Sequence, residues 1–271
     1  MSKKIRLDIF LLTKGFVDSR QQAQRLILAG KVKDNNGKVL DKPGQEISPE
    51  SQINISAQPK YVSRGGDKLS EAFQKFSLNV KDRICLDAGI STGGFTDCLL
   101  QNGAKKIYGI DVGYGQTSWK IRENPKVKLL ERTNIRFLKS ENIYSKEDLL
   151  PDFVVADLSF ISLKMVLKPI EDLLSKNFFE GIFLIKPQFE VGKEYVSKGG
   201  VVKESKYHLL ALNSVINSIE NLNWQINGLT ASPLVGPAGN HEYLIWISKI
   251  KLNEFFVDED FLNKLVKQTL S

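Results

Sequence analysis

The stretch Ile84-Cys-Leu-Asp-Ala-Gly-Ile-Ser-Thr-Gly-Gly-Phe-Thr-Asp-Cys-Leu-Leu100 constrains this chain more than any other. Ile84 to Leu86 is an apolar run too short for a helix and bounded by turn residues, so it reads as a buried strand. Asp87, Gly89, Gly93 and Gly94 follow. A helical pattern then carries Phe95, Leu99 and Leu100 on one side and stops at Gly103. Strand, glycine-rich turn and helix form the first crossover of a doubly wound α/β sheet, in which ligands sit at the carboxyl ends of the strands. The glycine spacing is G-x-x-x-G-G, neither the G-x-G-x-x-G of dinucleotide folds nor a phosphate-binding Walker loop. An acid directly after the strand repels a pyrophosphate and attracts an ammonium group. That chemistry points to S-adenosyl-L-methionine, whose methionyl end carries an amine; the bland alternative is a plain structural turn.

The 271 residues allow one large domain and a small one, and 42% hydrophobic with 25% charged residues is the composition of an ordinary globular protein. No run of 18 apolar residues exists, so no transmembrane helix is expected. The start, Met-Ser-Lys-Lys-Ile-Arg, lacks the apolar core of a signal peptide, and the expected location is the cytoplasm. Cys85 and Cys98 read as small buried hydrophobes rather than a disulfide or metal pair. His208 and His241, the only histidines, are too few and too far apart to suggest a metal site. The net charge of +7 is segregated: residues 1–60 hold eleven Lys/Arg and six Asp/Glu. A concentrated positive module on a near-neutral body is the footprint of a nucleic-acid binder.

Within residues 5–57, Leu7, Phe10 and Leu11 recur at helical spacing and Gly15 ends that helix. Ser19 caps a second helix that turns Ala23, Leu26 and Ile27 inward and stops at Gly30. Asn36-Gly37 is a hairpin signal between Val32 and Val39, and Ile47, Ile53 and Ile55 supply further strand material. Arg20, Arg25, Lys31 and Lys33 fall on or just after the second helix, where an exposed face could track a phosphate backbone; with Arg6 they are the candidate RNA contacts. The segment Asp18-Ser-Arg-Gln-Gln-Ala-Gln-Arg-Leu-Ile-Leu-Ala-Gly-Lys-Val32 resembles the core of the S4 RNA-binding domain.

Pro59 to Val62 reads as a linker, giving an expected division into residues 1–59, a linker at 60–63 and a second domain at 64–271. Leu69, Ala72, Phe73 and Phe76 repeat at helical spacing, which puts Lys68 in a first turn. A cation there opposes the helix dipole, at a cost of a few tenths of a kcal/mol or more. Further strands are expected at Lys106–Ile110, Val127–Leu130, Phe153–Ala156 and Ile182–Ile185, with a crossover helix over Leu163–Leu174. Asp111 closes the first of these strands, 24 residues beyond Asp87, where an acid commonly bonds ribose hydroxyls. Asp157 and Lys186 end two others. Runs at Trp224–Leu229 and Tyr243–Ile247, with no helix between them, read as an antiparallel pair, and Glu242 stands where the last begins.

Lys68, Asp157, Lys186 and Glu242, taken with the glycine loop, resemble the Lys-Asp-Lys-Glu tetrad of FtsJ/RrmJ-like ribose 2'-O-methyltransferases. Ser63-Arg-Gly-Gly-Asp-Lys-Leu69, Asp87 to Thr96, Asp111-Val-Gly-Tyr-Gly115, Glu131-Arg-Thr-Asn134 and Lys186-Pro-Gln-Phe-Glu190 are similar, in order, to the motifs of the TlyA family, which joins an S4 domain to such an enzyme. The resemblance implies a small α+β domain followed by a Rossmann-like methyltransferase with a mostly parallel, seven-stranded sheet. It implies methyl transfer to the 2'-hydroxyl of cytidine in ribosomal RNA (16S, 23S or both), with ribosomal subunits as partners and neither a membrane nor a metal. The implied cofactor contacts are Ser63, Asp87, Gly89, Ser91, Thr92, Gly93, Gly94, Asp111, Arg132 and Asp157.

The residue types suit that chemistry. A ribose hydroxyl must lose its proton as it attacks a sulfonium methyl, and Lys186 is the candidate base. A free lysine titrates near 10.4, so poising one at about 7.5 means destabilising its ammonium form by roughly 4 kcal/mol. Asp157 opposes that shift, and so orients the lysine rather than activating it. Glu242 is placed to hold the second lysine or the ribose. Two other readings stand beside this one: a non-enzymatic RNA-binding or ribosome-assembly protein on a degenerate methyltransferase fold, and, because TlyA proteins are also labelled haemolysins, a secreted cytolysin.

Overall fold

The computed structural model describes residues 4–55 and 59–271. The first three residues of the Met1–Arg6 start, and residues 56–58 at the end of the first expected domain, lie outside the described residues. The chain divides into two compact units, Met1–Pro59 and Lys60–Ser271.

The first unit runs β1 (Ile5–Arg6), α1 (Leu7–Thr13), α2 (Arg20–Leu28), β2 (Val32–Asp34), β3 (Glu46–Ile47) and β4 (Ile53–Ile55). Leu7, Phe10 and Leu11 from α1 meet Ala23, Leu26 and Ile27 from α2 in one small core that Val32 and Ile53 complete. Ser19 caps α2, its hydroxyl accepting the Gln22 amide at 3.2 Å. The Asn36-Gly37 turn is held by Asp34, whose Oδ1 accepts the amides of Asn36 and Lys38 at 2.9 Å each. The β1 and β2 strands pair antiparallel with β3 and β4 respectively.

The second unit runs α3 (Gly65–Lys75), β5 (Ile84–Ala88), α4 (Gly94–Gln101), β6 (Lys106–Ile110), α5 (Trp119–Arg122), β7 (Val127–Leu130), β8 (Phe153–Ala156), α6 (Leu167–Asp172), β9 (Glu180–Ile185), α7 (Pro187–Glu190), α8 (Ser205–Glu220), β10 (Gln225–Ala231), β11 (Tyr243–Ser248) and α9 (Glu259–Leu270). Seven strands form one sheet in the order β10-β11-β9-β8-β5-β6-β7, with β11 antiparallel to both of its neighbours and the other contacts parallel. The chain is thus an α/β unit with a mostly parallel seven-stranded sheet preceded by a small α+β unit, as the sequence leads one to expect.

Strand alternation gives the sheet two faces. Leu86, Val154, Phe183 and Ile245 point to the side covered by Leu212 and Val215 of α8 and Leu262 of α9. Cys85, Val155, Ile182 and Leu244 point to the side covered by Leu69 and Phe73 of α3 and Leu99 of α4. Both faces are dry, which is why these strands read as continuous apolar runs. The two cysteines are buried and unbonded.

Two expectations need correction. The crossover helix over Leu163–Leu174 is shorter: Leu163–Met165 is a single 3-10 turn and α6 begins only at Leu167. Pro169 is the cause, since a proline has no amide to donate and is tolerated only in a helix's first turn. Lys60–Ser63, expected as a linker, is part of the second unit. Tyr61 is buried in the core on the α3–α4 face, and the Val62 amide donates to the Asp97 carboxylate at 2.9 Å.

Candidate active site

Two adjoining cavities open where the parallel strands end. The smaller, about 270 Å³, is lined by Lys68, Asp157, Ser159, Lys186 and Glu242 together with the glycine loop. The larger, about 1360 Å³, shares Gly89, Ser91, Asp157 and Ser159 with it and extends along Asp111, Gly113, Thr133 and Asn134. Topology accounts for the convergence. Asp157 follows β8 and Lys186 follows β9; β11 runs the other way, so the residue before it, Glu242, emerges at the same edge, with Tyr243 opposite Ile185. Lys68 is delivered to the same cavity by the first turn of α3.

Four side chains close into two ion pairs. Lys68 Nζ meets Glu242 Oε2 at 2.5 Å, with Glu242 2% exposed. That carboxylate compensates a lysine set against the dipole of α3. Lys186 Nζ lies 2.6 Å from Asp157 Oδ1 and donates to Ser159 Oγ at 2.9 Å. The Asp157 oxygen is in ionic contact without hydrogen-bond alignment, and the serine takes the aligned bond. Lys186 is 8% exposed and Asp157 less buried, so this pair opens toward the cavity more than its neighbour.

The loop residues divide by role. Gly89 lines both cavities at φ +88°, and a Cβ there would stand 2.8 Å from the Asp157 carbonyl oxygen. Only glycine lets the loop cross the end of β8 so closely. Gly93 lines neither cavity: its missing Cβ makes room for Ile121, and that of Gly94 for Ser63 and the Gly66 amide. Their smallness serves packing around the loop, and of the two only Gly94 reaches the cavity wall. Ser63, Ser91 and Thr92 line the smaller cavity. Asp111 is fixed by two amides, Ser91 to Oδ2 at 2.8 Å and Gly113 to Oδ1 at 2.7 Å. Each oxygen keeps acceptor capacity facing the larger cavity.

Asp87 lies under the loop rather than in the cavity wall. Its position on β5 turns it toward α4, where Thr96 Oγ donates to Oδ2 at 2.6 Å. Burial pushes its carboxyl up to about 7, with Asp157 and Asp111 adding to the rise against the Thr96 bond. Asp87 Oδ1 has no hydrogen-bond partner. Arg132 also lies outside both cavities, exposed with its guanidinium 4.1 Å from the Tyr114 ring centroid; the wall there is made by Thr133 and Asn134.

Residues that sequence reasoning passed over include Ser159, which ligates Lys186, and Phe160, 91% exposed at φ +63° with its ring 5.2 Å from that of Phe189. Left-handed backbone is rare for a bulky residue, but only coordinates reveal it. Glu190, buried in α7, accepts the Ser162 hydroxyl at 2.6 Å and the Leu163 amide at 2.8 Å.

In the first unit the candidate RNA contacts fall into two classes. Arg6 and Arg20 are clamped on the fully buried Asp8: Arg6 donates to both carboxylate oxygens at 3.0 Å and Arg20 to Oδ2 at 2.9 Å, with Gln24 joining at 3.0 Å. Arg6 above all holds Asp8 well below the usual carboxylate range. Both guanidiniums stay about half exposed. Arg25 is exposed, Lys31 and Lys33 are half-buried, and none of the three has an ion pair among the described residues. Among the described residues, no helix is long and apolar enough to cross a membrane.

Residues 61–249 match the model of the FtsJ-like methyltransferases, and residues 5–53 that of the S4 domain. The chain is 43% identical over 249 residues to the 16S/23S rRNA (cytidine-2'-O)-methyltransferase TlyA of Mycobacterium tuberculosis (strain CDC 1551 / Oshkosh), covering 91% of each chain. It is 40% identical to Hemolysin A of Brachyspira hyodysenteriae, over 89% of this chain and 98% of the other. A solved Streptococcus thermophilus structure assigned as a candidate hemolysin superposes with a TM-score of 0.73 at 36% identity, covering 99% and 96% of the two chains.

Proposed function

Because the chain belongs to the TlyA family of S4-linked, FtsJ-like methyltransferases, we infer that it methylates the 2'-hydroxyl of cytidine in ribosomal RNA with S-adenosyl-L-methionine as donor. The observation that carries this is the pair of lysine–carboxylate contacts on one cavity at the strand ends, beside a glycine-bounded loop. A degenerate scaffold that merely bound RNA would have no use for two lysines buried at such cost.

The residues suit the cofactor. Gly89, on the wall of both cavities, lets the loop cross close over the end of β8, Asp111 offers acceptors for two ribose hydroxyls, and the partnerless Asp87 Oδ1 beneath the loop is negative charge in reserve for a methionyl ammonium. Ser63, Ser91, Thr92 and Gly94 would line the methionyl end. When bound, the cofactor supplies an electrophilic methyl group. Once its ammonium has released a proton to solvent, the neutral Lys186 Nζ accepts the hydrogen bond of the attacking 2'-hydroxyl and takes its proton, while Asp157 and Ser159 hold the lysine in place. Lys68 and Glu242 hold the ribose on the other side of the cavity. Aligning hydroxyl and methyl can itself lower a barrier by several kcal/mol, so much of the rate comes from positioning. The RNA is bound through the S4 unit, with Arg25, Lys31 and Lys33 on its phosphates and Arg6 and Arg20 beside them. The expected setting is the cytoplasm, where ribosomal subunits are found.

The test is to incubate the protein with labelled cofactor and separate unmodified ribosomal subunits, and to map ribose methylation. Wild type should label cytidine 2'-oxygens. Lys186→Ala should abolish labelling while leaving cofactor and RNA binding intact. Activity in that variant within a few-fold of wild type would remove Lys186 as the base.

A further inference from the structure

Lys186 is held by a loop that must itself be held. Asp157 and Ser159 come from the segment after β8, and Lys186 from the end of β9. Strand pairing between β8 and β9 ends at Ala156–Phe183, so beyond it the two segments need another tie. Glu190 provides one. It closes the one-turn helix that Lys186 begins, and its carboxylate reaches the β8 segment in two places, Oε2 at the Ser162 hydroxyl (2.6 Å) and Oε1 at the Leu163 amide (2.8 Å). The carboxylate is buried, lines neither cavity and touches none of the tetrad. Between Asp157 and Ser162 the backbone passes through the left-handed Phe160, a conformation that persists only where the surroundings impose it.

We propose that Glu190 is a positioning residue for methyl transfer: it bolts the turn carrying Lys186 to the segment carrying Asp157 and Ser159, and so fixes where Lys186 Nζ meets the ribose hydroxyl. The inference rests on the methyltransferase reading above. A buried carboxylate with two donors is a costly joint, and a misplacement of about 1 Å in a reacting group can slow a reaction a hundredfold.

The test uses the full chain with Glu190→Gln, Glu190→Ala and Ser162→Ala, each normalised to the fraction that binds cofactor. The glutamine keeps the shape and one acceptor. The ordering expected for kcat is wild type, then Gln and Ser162→Ala, then Ala, the last down roughly tenfold to a hundredfold, with KM for RNA and cofactor affinity within about twofold. Hydrogen exchange of the Leu163 amide should speed up in the same order. A role in folding alone would lower the active fraction and leave kcat per active site unmoved. If Glu190→Ala fails to fold, the glutamine and Ser162→Ala variants decide the question. Wild-type kcat in variants whose Leu163 amide exchanges faster overturns the proposal, whereas a wild-type protein that methylates no RNA overturns the activity and leaves the exchange data interpretable.

Discussion

At the scale of single residues, the groups nearest the loop are set by what burial does to charge. Asp87 is fully enclosed, and its carboxyl is pushed up to about 7 chiefly by burial. In the unfolded chain an aspartate titrates near 3.9. Between those values the folded protein holds a proton the unfolded chain has released, so stability of the unliganded protein should fall as pH rises from about 4 to about 7 and level off above. The slope from this one group is at most about 1.4 kcal/mol per pH unit. Asp87→Asn should therefore be more stable than wild type at pH 8 and equal to it near pH 4, and should bind S-adenosyl-L-methionine more weakly because the reserve charge is gone. Thermal unfolding at the two pH values, with calorimetry for the cofactor, reads both effects. Parallel stability profiles for the two proteins would show that Asp87 titrates normally. At Asp8 the balance is reversed: Arg6 and Arg20 make a buried carboxylate tolerable, so Arg20→Glu would test folding before it tested RNA.

At the scale of elements, the site is a consequence of where strands stop. Gly89 shows how tight the arrangement is, since an alanine there must accept φ +88° and a Cβ 2.8 Å from the Asp157 carbonyl. The backbone conformation alone costs about 1–2 kcal/mol, and the clash pushes Asp157 away from Lys186. Gly89→Ala should lower the unfolding midpoint, weaken cofactor binding and slow methyl transfer together; unchanged cofactor affinity would detach this crossing from the site. Much of this layer was legible in the sequence. Asp157 and Lys186 each end an apolar run, Glu242 begins another, and strand ends are read from local pattern. What was not legible depends on contacts between distant residues. The Lys68–Glu242 pair spans 174 positions and Glu190–Ser162 spans 28, and no periodicity encodes either. Tyr61 looked like linker because one buried aromatic beside Pro59 leaves no repeating signal. The α6 boundary was misread because the apolar spacing continues straight through Pro169.

At the scale of the molecule, charge and chemistry lie in different units. Residues 1–60 carry +5 of the net +7, while every member of the tetrad lies in Lys60–Ser271. Each unit has its own core, so each can be tested by itself. The cut belongs before Lys60 and not at Ser63, because a chain starting at Ser63 loses Tyr61 from the α3–α4 face and the Val62 bond to Asp97. A chain of residues 60–271 should fold and bind S-adenosyl-L-methionine with full affinity, yet bind ribosomal subunits far more weakly. Phosphate contacts release counterions, each adding roughly one unit to the slope of log affinity against log salt. The full chain should therefore show a steep salt dependence that the shortened one lacks, and Arg25→Glu with Lys31→Glu in the full chain should flatten it by about two units without touching Asp8. Unlike Arg6 and Arg20, these two side chains make no ion pair among the described residues, so their loss reads out on RNA and not on folding. Filter binding across a salt series, beside calorimetry for the cofactor, measures each term. If residues 60–271 bind subunits as tightly as the whole chain and with the same slope, the phosphate contacts lie on the methyltransferase unit and the S4 unit is not what holds the RNA.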